Sequence, residues 1–282
     1  MSDAPRSSRR RGGPPIVSGI VNLYKPRWES SAQYVYKLRG VYGERKVGHA
    51  GTLDPFADGV VIGCIGRGTK LVEQIMTLPK RYHTTLHLGV TNSSFDPEQP
   101  FEPVEGVTSC TREDVEAVLT GLRGEIDQAP PAFSAIKIDG RPSYRMARKG
   151  DDGDRPTKRV MIYRNEIVRF EWPRVELEIT CGRGTYIRAI ARDIGKALGC
   201  GAVCETLTRT AVGPFRMEES LRLRQTREDD ASKPGRVFGG VVRVVDEQNR
   251  DERDTQDVAK FLLSVEAAKE KMAAYRVGGE DV

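Results

Sequence analysis

Stretches with strand-like patterning recur along this chain, and no regular alternation of strand and helix connects them. Val175, Leu177, Ile179 and Cys181 alternate with polar residues, the period of a half-buried strand. Val60-Val61-Ile62-Gly63-Cys64-Ile65 is a continuous apolar run, the pattern of a strand buried within a sheet. Ile16 to Leu23, stopped at Lys25-Pro26, and Lys80 to Val90 read as two more strands. Helical signals are fewer. Ser30 and Ser31 can cap a helix running to about Tyr42, with Val35 and Leu38 inward, and Thr69 to Met76 looks helical. Thr111 followed by Asp114 is a helix cap ahead of Val115, Val118 and Leu122. Gly184 begins a helix whose apolar positions are Ile187, Ile190, Ile194 and Leu198, whereas Gly43 to Gly59 reads as glycine-punctuated loop. Strands mixed with a few helices predict an α+β fold around a mainly antiparallel sheet.

The chain has 282 residues, 38% of them hydrophobic and 30% charged, enough for a sizeable core under a wet surface. Its most apolar stretch is far short of the ~20 residues that a membrane-spanning helix needs. The N-terminus lacks the apolar segment of a secretory signal. Five cysteines without tight spacing fit a reducing cytoplasm better than a disulfide framework. The formal charge is +5, unevenly spread. Residues 1–15 carry four Arg and one Asp and are expected to form a disordered basic arm. Residues 137–164 hold nine Lys/Arg against four Asp, whereas residues 216–282 are net acidic. Charge alone leaves two readings of the basic segment open, a solvated face or an arm that contacts phosphates. Arg224 to Pro234 is charged and linker-like. Thr255 to Tyr275 then places Val258, Phe261, Leu262, Val265 and Met272 on one helical face, expected to dock on the body rather than on a partner.

Some apparent sites dissolve on inspection. Gly63 to Lys70 superficially resembles a phosphate-binding loop, but Thr69 precedes Lys70, which misplaces the lysine and the hydroxyl; a strand-to-helix turn accounts for it better. His83 and His87 sit on a strand, where four residues span about 13 Å, too far for one ion. Cys181, Cys200 and Cys204 have no histidine nearby and read as buried thiols. No metal site is expected. Gly48-His-Ala-Gly-Thr-Leu-Asp-Pro-Phe-Ala-Asp-Gly59 is the densest stretch, an irregular backbone presenting His and Asp, although Asp before Pro is usually a turn former. Gly184-Thr-Tyr-Ile-Arg188 at a helix start can likewise be only capping and surface charge.

Several such stretches occur together, in order: Gly19-Ile-Val-Asn-Leu-Tyr-Lys-Pro26, Lys46-Val-Gly-His-Ala-Gly-Thr-Leu-Asp-Pro55, Lys80-Arg-Tyr82, Gln128-Ala-Pro-Pro-Ala-Phe-Ser-Ala-Ile-Lys137, Gly184-Thr-Tyr-Ile-Arg188 and Leu207-Thr-Arg209. Over about residues 16 to 215 the chain thereby resembles the TruB family of pseudouridine synthases. The resemblance implies a mixed, mainly antiparallel sheet with flanking helices and a central cleft. It implies a catalytic domain at 16–223, with a basic RNA-gripping insertion at about 128–164; composition and pattern make 224–282 a linker and helical tail. It also implies conversion of a T-loop uridine of tRNA (uridine-55) to pseudouridine without cofactor or metal, by an isomerase that is cytoplasmic and monomeric, with no obligate protein partner. Asp54 matches the family's catalytic aspartate, Tyr82 the tyrosine that stacks on the flipped base, and Arg188 the arginine that pairs with the aspartate. His49 matches the histidine beside the extruded nucleotide, and Leu207 an apolar residue of the uracil pocket. Lys25 and Tyr186 match motif positions near the site.

These roles are chemically coherent. Reaction on a base within a folded loop requires flipping it out onto an aromatic face. A carboxylate is a nucleophile only when ionised, a form that a nearby guanidinium favours. With the resemblance, the basic segment becomes an RNA contact, and Arg145, Arg148 and Lys149 are its candidate phosphate ligands. The sequence departs from the family in three places. Trp28 stands where the family has glycine after Lys-Pro-x, so the turn or its packing must differ. Thr91-Asn-Ser-Ser-Phe-Asp96 agrees only partly with the expected Thr-Asp-Thr-x-Asp segment. No C-terminal PUA module is evident. The alternative to an isomerase is a catalytically silent RNA binder or tRNA-folding chaperone on the same fold. Guide-RNA-directed modification is disfavoured by the absence of an evident PUA module and of extended basic tails.

Overall fold

The computed structural model describes residues 17–131, 156–226, 241–245 and 260–275, together with the residue pairs 137–138 and 141–142. Strand β1 (Gly19–Lys25) leads into two short helices, α1 (Ser31–Tyr36) and α2 (Leu38–Tyr42), where the sequence pattern predicts one helix. Ser30 Oγ caps α1 by accepting from Gln33 N at 3.2 Å. The glycine-punctuated stretch contains a strand, β2 (Val47–Ala50), before β3 (Asp58–Ile65). A 3-10 turn (Gly66–Leu71) then runs into α3 (Val72–Thr77) and on to β4 (Lys80–Leu88). The short strands β5 (Val90–Thr91) and β6 (Glu102–Pro103) pair with each other. Helix α4 (Arg112–Gly121) has both halves of the Thr111–Asp114 capping box. After it come β7 (Gly124–Gln128) and the small pair β8 (Lys137–Ile138) and β9 (Arg141–Pro142). The long strands β10 (Lys158–Glu171) and β11 (Arg174–Cys181) precede α5 (Ile187–Ala197), which starts three residues after Gly184: that glycine has a φ of +84°, and the N-cap Tyr186 is still extended. The chain continues as β12 (Ala202–Val212), β13 (Phe215–Arg216), β14 (Arg222–Thr226), β15 (Val241–Val245), β16 (Leu262–Leu263) and α6 (Val265–Ala274).

Among the described residues ten strands form one sheet, ordered β16-β1-β3-β12-β4-β11-β10-β7, with β2 on β3 and β13 on β12. Every pair within it is antiparallel except β12 with β3, so the sheet is mixed and mainly antiparallel, as expected. The apolar run on β3 feeds two cores, because successive residues of a strand face opposite ways. Val61 and Ile65 join the larger cluster with Tyr34, Val35 and Leu38, Val115 and Leu119 of α4, and Ile187, Ile190 and Ile194 of α5. Val60, Ile62 and Cys64 join the smaller one with Ile75 of α3 and Ala268 and Met272 of α6. The alternation on β11 is as read, with Val175, Leu177, Ile179 and Cys181 all buried. Gly59 makes the parallel join possible: its φ is +105°, and a Cβ there would lie 2.3 Å from the Arg209 carbonyl oxygen.

Two expectations for the C-terminal region are corrected. The single helix predicted over 255–275 is, where described, strand β16 followed by the shorter α6. Leu262 and Leu263 pair with Val21 and Ile20 at the open edge of β1, and an unpaired edge is a stronger claim on two leucines than helical spacing. Arg224 to Thr226, read as linker, belong to β14, paired with β15; residues 227–234 lie outside the described residues. Helix α6 docks on the body, with Ala268 and Met272 buried. Among the described residues no helix is long and apolar enough to cross a membrane, and no cluster of His, Cys, Asp or Glu could hold a metal ion. His83 and His87 instead face Glu176 and Glu205. Burial pushes the Cys64, Cys181 and Cys204 thiols up to about 12.

Candidate active site

Asp54 lies in the loop that joins β2 to β3, and the loop is fastened from several sides. Leu53, Phe56 and Ala57 are buried in the larger core. Ser31 Oγ, at the start of α1, both accepts from Leu53 N and donates to Leu53 O at 2.9 Å. Lys25 is fully buried, and its Nζ donates to the carbonyls of Pro26, Glu29 and Pro55. Burial, only partly offset by Asp58, Glu29 and Asp54, lowers the Lys25 ammonium to about 8. Arg209 of β12 is buried as well; its Nε donates to Val60 O at 2.7 Å and its Nη2 to Gly51 O at 3.0 Å. The backbone around Asp54 is thereby held while its side chain stays 31% exposed.

That carboxylate meets Arg188, in the first turn of α5, in a two-pronged ion pair: Nε to Oδ2 and Nη2 to Oδ1, both 3.0 Å. The remaining arm of the guanidinium, Nη1, donates to Asp96 Oδ2 at 2.9 Å and to Ser94 O at 3.2 Å. Asp96 is buried and accepts from Ser94 Oγ at 2.6 Å and Glu98 N at 3.0 Å. Burial opposes the charge of Arg188, but Asp54 and Asp96 outweigh it and hold the guanidinium above its ordinary value. Burial likewise pushes the Asp96 carboxyl up, against the pull of Arg188. Arg188 is thus gripped from below by Asp96 and presents its other edge to Asp54, a planar fork matched to a carboxylate.

Above the pair opens a cleft of about 240 Å³, lined by residues that include Asp54, Met76, Lys80, Tyr82, Tyr186 and Leu207. Tyr82 and Lys80 share the buried face of β4, where burial raises the Tyr82 phenol and lowers the Lys80 ammonium to about 8. Lys80 Nζ donates to Met76 O and Leu78 O. The Gln128 side chain clasps the backbone of Tyr186, accepting from its N at 2.8 Å and donating to its O at 3.2 Å.

Of the residues predicted for the site, Asp54, Tyr82, Arg188, Tyr186 and Leu207 come together at or directly beneath this cleft. His49 stands one shell back on β2, its Nε2 3.2 Å from Oγ1 of the cleft residue Thr52, and burial lowers its imidazole. Lys25 is packed behind the loop rather than facing the cleft. Arg145, Arg148 and Lys149 lie outside the described residues. Asp96, Arg209 and Gln128 escaped the sequence reading as site residues. Each left a trace there: Asp96 ends the segment that agrees only partly with the family, and the other two stand in matched motifs. Trp28 keeps the turn that a glycine would make. Its φ is +66° and its N donates to Pro55 O at 2.6 Å, so it is the outward placement of the ring that differs.

An irregular loop with a clamped, half-exposed aspartate, over an arginine at a helix start and under an aromatic wall, on a mixed sheet, defines a class that similarity identifies independently. The family profile described as TruB family pseudouridylate synthase (N terminal domain) matches residues 39–187, and that described as tRNA pseudouridylate synthase B C-terminal domain matches residues 188–231. The curated tRNA pseudouridine synthase B of Pseudomonas aeruginosa is 40% identical over 207 residues, covering 73% of this chain and 68% of its own. The protein of that name from Clostridium kluyveri is 39% identical, covering 73% and 71%. Among solved structures, a Cbf5–Nop10–Gar1 complex matches with a TM-score of 0.57 and 28% identity over 72% of this chain and 52% of that one. An H/ACA RNP bound to a substrate RNA containing 2′-deoxyuridine matches with a TM-score of 0.54 and 25% identity over 72% and 50%. The chain spans about half the length of these solved chains. It belongs to the TruB family of pseudouridylate synthases, enzymes of the isomerase class.

Proposed function

We propose that the chain converts the T-loop uridine at position 55 of tRNA to pseudouridine, with Asp54 as the carboxylate that acts on the ribose or the ring. The observation that carries this reading is the two-pronged Asp54–Arg188 pair beneath a cleft walled by Tyr82 and Leu207. In the reaction the bond from C1′ to N1 breaks, the detached uracil turns, and a bond from C1′ to C5 forms. C5 loses a proton and N1 gains one, so composition and oxidation state are unchanged and no redox cofactor is called for. Asp54 supplies the reacting oxygen, Arg188 aims it, Tyr82 stacks on the flipped base, and Leu207 excludes water around the uracil. His49 sits where it can attend the extruded nucleotide, and Tyr186 completes the wall. The chemistry is assigned to residues 16–223. The basic insertion at about 128–164, with Arg145, Arg148 and Lys149, grips the T-arm backbone. The enzyme works as a monomer in the cytoplasm.

Asp54→Asn preserves the shape of the side chain and removes its charge. Pseudouridine formation in a T-arm stem-loop transcript should fall by several orders of magnitude, on the order of 8 kcal/mol for a 10⁶-fold loss, while RNA affinity stays near wild type. Equal turnover by wild type and Asp54→Asn would refute the assignment. Tight binding by a wild-type protein that never converts uridine would instead establish the silent binder.

A further inference from the structure

We propose that the exposed ring of Trp28 is a stacking platform for an unpaired base of the RNA substrate, a neighbour of the nucleotide held in the cleft. The proposal rests on the reading of this chain as an enzyme acting on an RNA loop, and three observations carry it.

The first is conformational. Trp28 has a φ of +66°, and among the described residues only Phe95 shares a positive φ without being glycine. A bulky side chain enters that region only where its surroundings impose it. Here they do: Trp28 N donates to Pro55 O at 2.6 Å, Lys25 Nζ binds the carbonyls on either side, at Pro26 and Glu29, and Arg27 pairs with Asp58 at 3.3 Å. The second is that packing offers no return for this strain. The Trp28 residue is 62% exposed, more than any other large hydrophobic residue described, and glycine would make the same turn unstrained. The third is position. The Trp28–Pro55 hydrogen bond places Trp28 N within about 9 Å of the Asp54 Cα. A base flipped into the cleft leaves its loop neighbours unstacked. An exposed flat aromatic whose backbone lies that near the loop of Asp54 can cover one of them whatever its identity, since every base has a π-face. The Arg27 side chain beside it is 44% exposed, with its charge shared by Asp58.

The chain has two tryptophans, so in Trp172→Phe the emission reports Trp28 alone. Titrating that variant with the T-arm stem-loop should quench the emission saturably, over the same concentrations that give binding. Trp28→Gly relieves the backbone, so its thermal midpoint should equal or exceed that of wild type, while its Kd for the RNA rises about five- to a hundredfold. Trp28→Phe should retain most of the affinity. A purely structural tryptophan predicts the reverse, a Gly variant that loses stability and binds normally once folded. Unquenched emission on RNA binding, or a folded Trp28→Gly variant that binds within about twofold of wild type, would overturn the proposal. The fluorescence titration needs no substitution at Trp28 and decides even if a variant fails to fold. A wild type that binds the transcript without converting it would sink the enzymatic reading alone, leaving quenching to decide the stacking; a wild type that does not bind it sinks both.

Discussion

Asp96 is the strongest test of how this site is held, because it bonds Arg188 without lining the cleft. Its side chain is 2% exposed and holds Arg188 Nη1 at 2.9 Å, whereas Asp54, on the other edge of the same guanidinium, is 31% exposed. Removing one partner of a buried ion pair costs about 3–5 kcal/mol. In Asp96→Asn the arginine keeps Asp54, so the loss should fall at the lower end, about 3 kcal/mol, or on the order of 6–12 °C in Tm for a chain of this size. Solvent already shares the load at Asp54, so Asp54→Asn should cost about 1 kcal/mol or less. An exposed pair such as Arg164–Glu166, with side chains 45% and 49% exposed, sets the floor; Glu166→Gln should change stability by about 0.5 kcal/mol at most. Turnover should split differently. Asp96→Asn lets Arg188 drift and slows the reaction about a hundredfold through misplacement of the aspartate, with RNA affinity unchanged, while Asp54→Asn abolishes it. Urea unfolding and single-turnover pseudouridine formation measure the two effects. An Asp96→Asn protein as stable as Glu166→Gln would show that Asp96 does not anchor Arg188.

Burial lowers Lys80 from its ordinary value to about 8. Between that value and about 10.4 the unfolded chain binds more protons, so this group makes stability rise with pH across the window; Lys80→Met should flatten the rise in urea unfolding measured at pH 7 and pH 10, and an unchanged slope would refute it. Met272 is 6% exposed and packs in the smaller core. Met272→Ala should cost about 2–4 kcal/mol in unfolding free energy yet leave turnover per folded molecule intact, since α6 does not line the cleft. Replacing Arg145, Arg148 and Lys149 together by Gln should flatten the dependence of log Kd on log salt by about 2 units, with the rate of bound RNA unchanged; an unaltered slope would deny them phosphate contacts.

The parts of the fold legible in the sequence are those whose pattern is written locally. Alternation at Val175, Leu177, Ile179 and Cys181 and the run from Val60 to Ile65 each identify a strand because burial there follows directly from periodicity. Strand β2 was illegible for the opposite reason: Val-Gly-His-Ala carries no apolar pattern, and its extended form comes from pairing with β3. Leu262 and Leu263 misled because two apolar residues fit either period, and only the free edge of β1 decides between them. Within the site, Asp54, Tyr82 and Arg188 were legible as motif residues, but nothing local to Asp96 says that Arg188, ninety-two positions further on, will close on it.

The arrangement also explains how the aspartate proposed to react can sit in a loop without being loose. A loop residue ordinarily trades precision for exposure. Here Ser31 fixes the residue before Asp54, Lys25 and Trp28 fix the residue after it, and Arg209 fixes the turn three residues ahead. Two of these holders, Lys25 and Arg209, are buried cations bonded to carbonyl oxygens. Such groups are costly to desolvate. Their energetic cost becomes intelligible if the loop must keep one carboxylate fixed while the space above it opens to receive a base. Precision in this site therefore comes from backbone carbonyls tied down by buried charge, and the cleft side chains are left free for the proposed RNA substrate.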